Sequence, residues 1–584
     1  MDLITSFTFW EEFWIVFVVV MIAWFIYDKY VQRNHQLLVN YPIIGRLRYV
    51  FEEAREPFRQ YFGDEKFYES KDKLDWVYKA ARDLPNYASF SPSQPLLNPK
   101  FMIKHANFVL NDNEVEDDFE VTFGAKREKP YTAKSIIARS AMSDGSISPE
   151  GTRAFVQGSQ LGGFPINSGE GGVTSNFFVT HTHYDPSYMK IVDTSSFNKK
   201  IEHYVRKFSN GATASEIYRK IVFKNDPEAE TYILDLNTKV FYRPNWDAPL
   251  ENFPKAVPAD MPDIVFQISS GLYGTRDKEG KFDPNRYKKV MSFCQMTEIK
   301  IAQGAKQTGG KLAAHKVSPA IAYYRNVEAY KDVFSPNRFP YANTIEELFD
   351  FIGQLQKLSK KPVGVKIVIS DIQNIEPYAK EIKKRIDERN DSYPDYIAVD
   401  SGSGGSATAP IEMMERVGLD VRDSVYLVDK VLRDYGVRDE VKLVASGKIL
   451  TPDDIIIIII MSLGADFLQI ARGFMMSAGC IRARYCSGTT GRDCPVGLAT
   501  QNKSKRRKYF VFRHATYVAN YHKNLLKNVK GMLAIMGLKN INQLSKEKIF
   551  FLDKDSKVHD DIDEVFRRKL DLSKDIKDLE HELR

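Results

Sequence analysis

The chain has 584 residues, with 83 Lys and Arg against 76 Asp and Glu, a formal charge of +7 and 43% hydrophobic residues. That composition excludes a disordered or fibrous polymer, and four cysteines exclude a disulfide-built secreted scaffold. The positive excess is small for this length and reads as dispersed, so no nucleic-acid partner is expected.

The first predicted element is apolar. Phe13–Tyr27 reads FWIVFVVVMIAWFIY, fifteen residues without a charge, preceded by Phe7, Phe9 and Trp10. A helix rises about 1.5 Å per residue, so a ~30 Å hydrocarbon core takes about 20 residues. Phe7–Tyr30 reaches that length if Glu11 and Glu12 lie at the outer interface, with Trp10, Trp14, Trp24, Tyr27 and Tyr30 as aromatic belts. Lys29 and Arg33 follow the run, which places the body of the chain in the cytoplasm by the positive-inside rule. The start lacks the basic residues and small-residue cleavage site of a signal peptide. The expectation is a single-pass membrane anchor over residues 1–33; an oligomer-packing helix of a soluble protein is the alternative.

Residues 34–130 read as an N-terminal α/β segment that packs on the main domain, with a helix over Lys71–Arg82. From Tyr131 onward β-branched runs alternate with helical segments and glycine turns, with strands predicted at Ile264–Ser269, Val363–Ser370, Tyr396–Val399, Val441–Ala445 and Phe467–Ala471. Such alternation predicts an α/β domain with a parallel sheet, here spanning 131–545. Ile455–Ile460 has strand propensity, but Thr451-Pro452-Asp453-Asp454 before it is a helix start, so a helix is predicted. Residues 546–584 read as a charged tail, helical and solvated from Lys554.

Eight segments, in order, resemble the synthase part of the glutamate synthase large subunit: Ser140–Glu150 (SAMSDGSISPE), Asn167–Gly172 (NSGEGG), Glu298–Lys306 (EIKIAQGAK), VGVKIVIS around Lys366, Asp400–Pro410 (DSGSGGSATAP), Ala445–Ile449 (ASGKI), Ala471–Phe474 (ARGF) and Cys494–Gln501 (CPVGLATQ). The resemblance covers roughly Pro57 to Leu538. The resemblance implies a (β/α)8 TIM barrel with FMN at its C-terminal mouth and a neighbouring 3Fe–4S cluster. It also implies a short form that lacks the amidotransferase domain, with helical flanking segments and the apolar helix at the start.

The residues themselves carry compatible chemistry. A flavin phosphate needs backbone N–H donors, which barrels supply from late βα-loops beside a helix N-terminus. VKLVASGKI and FLQIARGF place Gly447 and Gly473 in such loops, and the turn holding Gly402, Gly404 and Gly405 follows the strand at Tyr396. Any tight βα turn also uses glycine. No strand–GxGxxG–helix unit with a downstream acid is present. Lys366 interrupts an apolar strand and is costly to bury without an anion. The resemblance places it against the flavin pyrimidine edge, with Ala141, Met142, Ser143 and Gln267 also at the cofactor.

A dicarboxylate substrate needs two cationic clamps and an orienting amide. By resemblance, Lys300 and Arg325 bind the carboxylates of 2-oxoglutarate, Gln303 and Lys306 border flavin and substrate, and Glu170 orients substrate or ammonia; Lys366, Glu170 and Lys306 are the implied catalytic residues. The chain departs from the family pattern at Gln307–Lys311, one residue shorter with a lysine, and at Leu272, where an arginine is common.

Cys480, Cys486 and Cys494 have the spacing C-x5-C-x7-C and end in Cys-Pro, which suits metal or redox ligation. The family's second gap is three residues shorter, so Ser487–Asp493 carries an insertion. Cys294 reads as a buried thiol, and the His181–His183 pair as structural. The reading is an oxidoreductase that forms L-glutamate reductively from 2-oxoglutarate and ammonia via a 2-imino intermediate, using an external donor such as ferredoxin or an NAD(P)H-oxidising partner. The alternatives are a flavin oxidoreductase for another 2-oxo or 2-hydroxy acid, or one passing electrons to quinone, and a non-catalytic flavoprotein scaffold or redox sensor.

Overall fold

In the computed structural model, eight parallel strands close on themselves. The structure describes residues 9–32, 41–47, 71–87, 100–178, 185–193, 231–235, 240–304, 310–404, 416–459, 463–487, 492–506 and 509–570, with a few isolated positions between them. The barrel strands are β1 (Ile137–Arg139), β2 (Ile166–Asn167), β3 (Ile264–Ile268), β4 (Met296–Lys300), β5 (Val363–Val368), β6 (Tyr396–Asp400), β7 (Lys442–Ser446) and β8 (Phe467–Ile470). Each pairs in parallel with its neighbours in chain order, and β8 closes onto β1. The five strands expected from sequence all lie in this ring, which is a TIM barrel.

Helices cover the outside: Pro149–Gly162, Pro284–Met291, Ile345–Ser359, Glu376–Asp387 and Val421–Asp434. Ser148, Asp283, Thr344 and Asp420 start four of them by accepting first-turn N–H bonds, which satisfies donors a helix end cannot pair internally. The isoleucine run is helical as expected, a π-helix over Asp454–Ile459. The crossover from β2 to β3 holds an antiparallel sheet of Met189–Asp193, Val240–Pro244 and Ile233–Asp235.

Side chains alternate across each strand, and here the inward ones divide into two layers. At the N-terminal end Ala138, Val265, Met296, Tyr396, Ala398, Val444 and Phe467 form an apolar plug with Phe123, Tyr131 and Ala133 of a hairpin, Val121–Phe123 paired with Tyr131–Ala133. The Phe123 ring lies 5.1 Å from Phe467 and 5.4 Å from Tyr396, both edge-on. Further along the same strands the inward positions become polar, which leaves the chemistry at the C-terminal mouth.

The helix Lys71–Ala81 forms as predicted. The long helix Val511–Ile535 packs against the helix after β1. Strand Ile549–Leu552 pairs with Lys100–Ile103, so the last segment is joined to the body before its helix Ile562–Lys569.

The chain divides into two units, Met1–Ser70 and Lys71–Arg584. In the first, the α-helix Phe9–Ile26 continues as a π-turn Tyr27–Val31. These 23 residues are long and apolar enough to cross a membrane, and nearly every large apolar side chain along them is exposed. Asp28 is buried and accepts hydrogen bonds from the Arg46 guanidinium and the Ile43 N–H, and Arg46 also lies over the Trp24 ring.

Candidate functional site

The polar inward layer is built around one carboxylate. Glu298, fully buried on β4, accepts from Asn167 Nδ2 at 2.9 Å, Gln267 Nε2 at 2.7 Å and Gln469 Nε2 at 2.7 Å. Three amides from β2, β3 and β8 therefore point their N–H groups at one acid and turn their carbonyls elsewhere. Gln469 Oε1 is buried without a hydrogen-bond partner, an acceptor placed for an N–H donor.

On the neighbouring strand β5, Lys366 meets the anion its burial requires. Its Nζ lies 3.4 Å from Asp400 Oδ1 on β6 and 3.5 Å from Ser446 Oγ on β7. The other Asp400 oxygen accepts the Gly304 N–H at 3.1 Å, which ties the loop after β4 to β6.

At the rim, Lys300 Nζ donates to Glu170 Oε2 at 2.9 Å and to Gln303 Oε1 at 3.0 Å. Burial raises the Glu170 pKa, but Lys300, Arg325 and the Ser269 hydroxyl outweigh it and hold the carboxyl at about 2. It is therefore ionised at neutral pH and acts as an acceptor. Arg325 ends the helix Pro319–Arg325; its Nη2 donates to Asp144 O at 3.3 Å and stands 3.5 Å from Ser143 Oγ. Its guanidinium lies 5.2 Å from the Tyr273 ring centroid. Burial lowers its pKa, with Glu170 opposing that shift. Four of the residues expected at the substrate thus come together. Lys306 and the rest of 305–309 lie outside the described residues, as do Gly405, His181 and His183.

Ala141, Met142 and Ser143 form the loop after β1. It is secured by Arg139, whose Nη1 donates to Ser140 O at 2.9 Å and Met142 O at 3.2 Å. Burial lowers the Arg139 pKa to about 9. The N–H groups of Gly402 and Gly404 donate to Leu419 O and Ser401 O, both at 2.7 Å, so these two are spent on shaping their turn. Gly447 follows β7 at φ +135, and a Cβ there would lie 2.5 Å from Ser401 Cβ. Gly473 opens the short helix Arg472–Ser477 after β8, and a Cβ there would lie 2.0 Å from Tyr521 Oη. Protein packing alone requires glycine at both positions. Leu272 is buried in the hydrophobic core rather than in the site.

A flavin mononucleotide is a planar ring with one N–H donor, carbonyl acceptors and a dianionic phosphate. The donor set fits it: Lys366 as a buried cation, Gln469 Oε1 as a buried acceptor awaiting a donor, and first-turn N–H groups of Arg472–Ser477 that have no acceptor within their helix.

The cysteines give a more limited result. Burial is the main cause of the raised thiol pKa of Cys480, pushed up to about 12, and of Cys486; Cys486 and Cys494 lie close enough to add to the shift of Cys480, and Cys494 to that of Cys486. Cys480 Sγ accepts the Arg482 N–H at 3.4 Å, and Lys316 donates to Cys486 O at 2.8 Å. Among the described residues, however, no three His, Cys, Asp or Glu side chains are gathered to hold a metal, and residues 488–491 of the insertion lie outside them. The described residues thus do not assemble a cluster site, and no step is derived through one. Cys294 is fully buried, and burial pushes its thiol to about 12.

Sequence reasoning missed Glu298, Asp400, Gln469, Ser446 and Arg139. Only Gln469 carried the signal that singled out Lys366, a polar side chain inside a predicted apolar strand; Asp400 and Ser446 directly follow predicted strands, and Glu298 and Arg139 lie on strands outside those predicted from sequence.

The conserved region in glutamate synthase matches residues 75–539. The glutamate synthase large subunit-like protein YerD of Bacillus subtilis is 27% identical over 584 aligned residues, covering 92% of this chain and 94% of the relative. An archaeal glutamate synthase (NADPH) of Methanocaldococcus jannaschii is 30% identical over 294 residues, which are 50% of this chain and 53% of that one. Among solved structures, the flavin-binding domain of baker's yeast flavocytochrome b2 aligns at a TM-score of 0.38 and 10% identity, over 89% of this chain and 90% of that one.

Proposed function

Because the chain belongs to the glutamate synthase family, we propose that it is an FMN-dependent oxidoreductase that forms L-glutamate from 2-oxoglutarate and ammonia through a 2-imino acid. The observation that carries this reading is the grouping of Lys300, Glu170 and Gln303 at the rim, with Arg325 within electrostatic reach of Glu170. Two cations suit a dicarboxylate, and a carboxylate between them suits an N–H donor.

In this reading Lys366, Gln267, Gln469, the Ala141–Ser143 loop, Gly447 and Gly473 hold the flavin, which supplies hydride transfer when bound. Lys300 pairs with one substrate carboxylate through the donor left over from Glu170 and Gln303, and Arg325 pairs with the other. Glu170 accepts hydrogen bonds from ammonia or the imine and fixes its orientation; at a pKa near 2 it cannot serve as the proton donor at neutral pH. Lys306 is proposed to complete the site as a proton-transfer group. Fixing the reacting carbon in this way removes the orientational cost of the bimolecular step.

Three further elements belong to the proposal. Cys480, Cys486 and Cys494 are the candidate ligands of a 3Fe–4S cluster on the strength of their spacing and the family alone, since the described side chains do not gather into a metal site; iron and acid-labile sulfide analysis tests this. An external protein donor supplies electrons. The N-terminal helix is a single-pass anchor with the catalytic body in the cytoplasm, supported by the exposure of its apolar side chains along its length.

The activity test is glutamate formation from isotope-labelled ammonia with a chemically reduced mediator as donor. Label in glutamate that depends on 2-oxoglutarate supports the reading. Flavin-containing protein that makes none, while reducing or oxidising another 2-oxo or 2-hydroxy acid, overturns the substrate assignment.

A further inference from the structure

Residues 482–513 hold nine Lys and Arg and a single acid, Asp493, a net +8 in a chain whose total is +7. The excess charge is therefore gathered here and not dispersed, as the overall composition suggests. Its densest part, residues 503–513, carries Lys503, Lys505, Arg506, Arg507, Lys508 and Arg513 with no acid.

The segment runs from the short helix Lys503–Arg506 into the long helix Val511–Ile535. Tyr509 between them is buried and donates to Ala478 O at 2.6 Å, which pins the segment to the body. On the outside, Lys503, Lys505 and Arg513 are exposed, and Phe510 and Phe512 are 56% and 74% exposed among them. The Arg513 guanidinium lies 5.4 Å from the Phe510 ring centroid.

A face that only needed solvating would not carry two outward phenylalanines beside the exposed cations Lys503, Lys505 and Arg513. Basic residues interleaved with aromatic ones suit a bilayer interface, where rings enter the headgroup boundary and cations meet lipid phosphates. An independent feature points to the same environment: the 23-residue helical segment Phe9–Val31 exposes its apolar side chains over its whole length. We propose that Lys503, Lys505, Phe510, Phe512 and Arg513 form a docking face for an anionic phospholipid surface. Phe510 and Phe512 enter the interface, and Lys503, Lys505 and Arg513 bind the headgroup phosphates. The proposal rests on this charge and aromatic pattern and does not depend on the catalytic reading.

The test uses the full chain reconstituted into nanodiscs of phosphatidylcholine alone or mixed with phosphatidylglycerol. Hydrogen exchange is read over residues 503–513. Protection is expected in the anionic discs, with loss in neutral discs, in high salt and in a K505E/R513E variant; F512S should lose part of it. Each Lys or Arg at an anionic surface strengthens binding about fivefold, so reversing two should weaken it by about 25-fold or more. If the chain stays soluble without detergent, the spanning reading fails. The same prediction then applies to cosedimentation with anionic over neutral vesicles. Equal exchange in both lipids, protection that survives K505E/R513E, or preference for a duplex oligonucleotide over anionic vesicles would each overturn the proposal.

Discussion

Lys366 Nζ and Asp400 Oδ1 stand 3.4 Å apart on neighbouring barrel strands, and each side chain is only 5% exposed. Neither charge could be held there alone, because a buried ion without a partner loses its hydration with nothing in return. Removing one partner should therefore cost more than removing both. Asp400→Asn is expected to destabilise by about 3–5 kcal/mol, and Lys366→Met combined with Asp400→Asn by less. Urea denaturation of the single and double variants measures this; additive losses would mean that the two side chains do not interact. Lys366→Met should also abolish turnover, with the barrel still folded in the double variant.

Lys300 and Arg325 should be separable by kinetics. A hydrogen bond to a charged group is worth about 1.5–3 kcal/mol, so Lys300→Met should lower kcat/KM for 2-oxoglutarate by about 10- to 100-fold. Arg325→Ala should act mainly by raising KM for a dicarboxylate and should have little effect on a monocarboxylate analogue. Equal losses for both acids would remove Arg325 from the carboxylate site.

Two groups set distinct acid windows. Glu170 drops from 4.5 to about 2 on folding, so its contribution to stability is present above pH 4.5 and is lost as pH falls towards 2. His522 is fully buried, accompanied by Ser135 Oγ at 2.8 Å, and burial lowers its pKa from 6.5 to about 3. The unfolded chain takes up that proton near pH 6.5 and the folded chain does not, so stability falls as pH drops from 6.5 towards 3. Glu170→Gln should flatten the lower window and His522→Asn the upper one in stability-versus-pH curves. An unchanged slope in either window would refute the corresponding assignment.

Gly473 separates packing from ligand binding. With a Cβ 2.0 Å from Tyr521 Oη, Gly473→Ala should destabilise by about 1–3 kcal/mol. Adding Tyr521→Phe should restore only part of that, because the ring Cζ would still lie 2.7 Å from the new Cβ and the 2.8 Å hydrogen bond to Leu450 O is lost. Thermal melts measure both. If Gly473→Ala weakens FMN binding without lowering Tm, the glycine serves the phosphate and not the packing.

Much of the barrel was legible because β-branched runs, glycine turns and helix starts follow local chemistry. Lys366 stood out because a lysine in VGVKIVIS violates the apolar pattern. Its partner did not, since Asp400 becomes a partner only when β5 and β6 lie side by side. The same holds for Glu298: three amides from β2, β3 and β8 converge on it only through barrel closure, although Asn167 and Gln469 lay within the quoted motifs. Gly402 and Gly404 show the converse limit. Their type was legible, but their N–H groups go to Leu419 O and Ser401 O, a use that spacing does not reveal.

The central claim is that this barrel binds FMN and uses it to make glutamate. The most direct measurement is the anaerobic visible spectrum of the detergent-purified chain after dithionite reduction, followed on addition of 2-oxoglutarate with ammonia. The account predicts flavin bands that bleach on reduction and return only when both substrates are present, with the return lost in the Lys300→Met variant. A flavin that stays reduced with both substrates, or a protein that takes up no FMN after reconstitution, would contradict it.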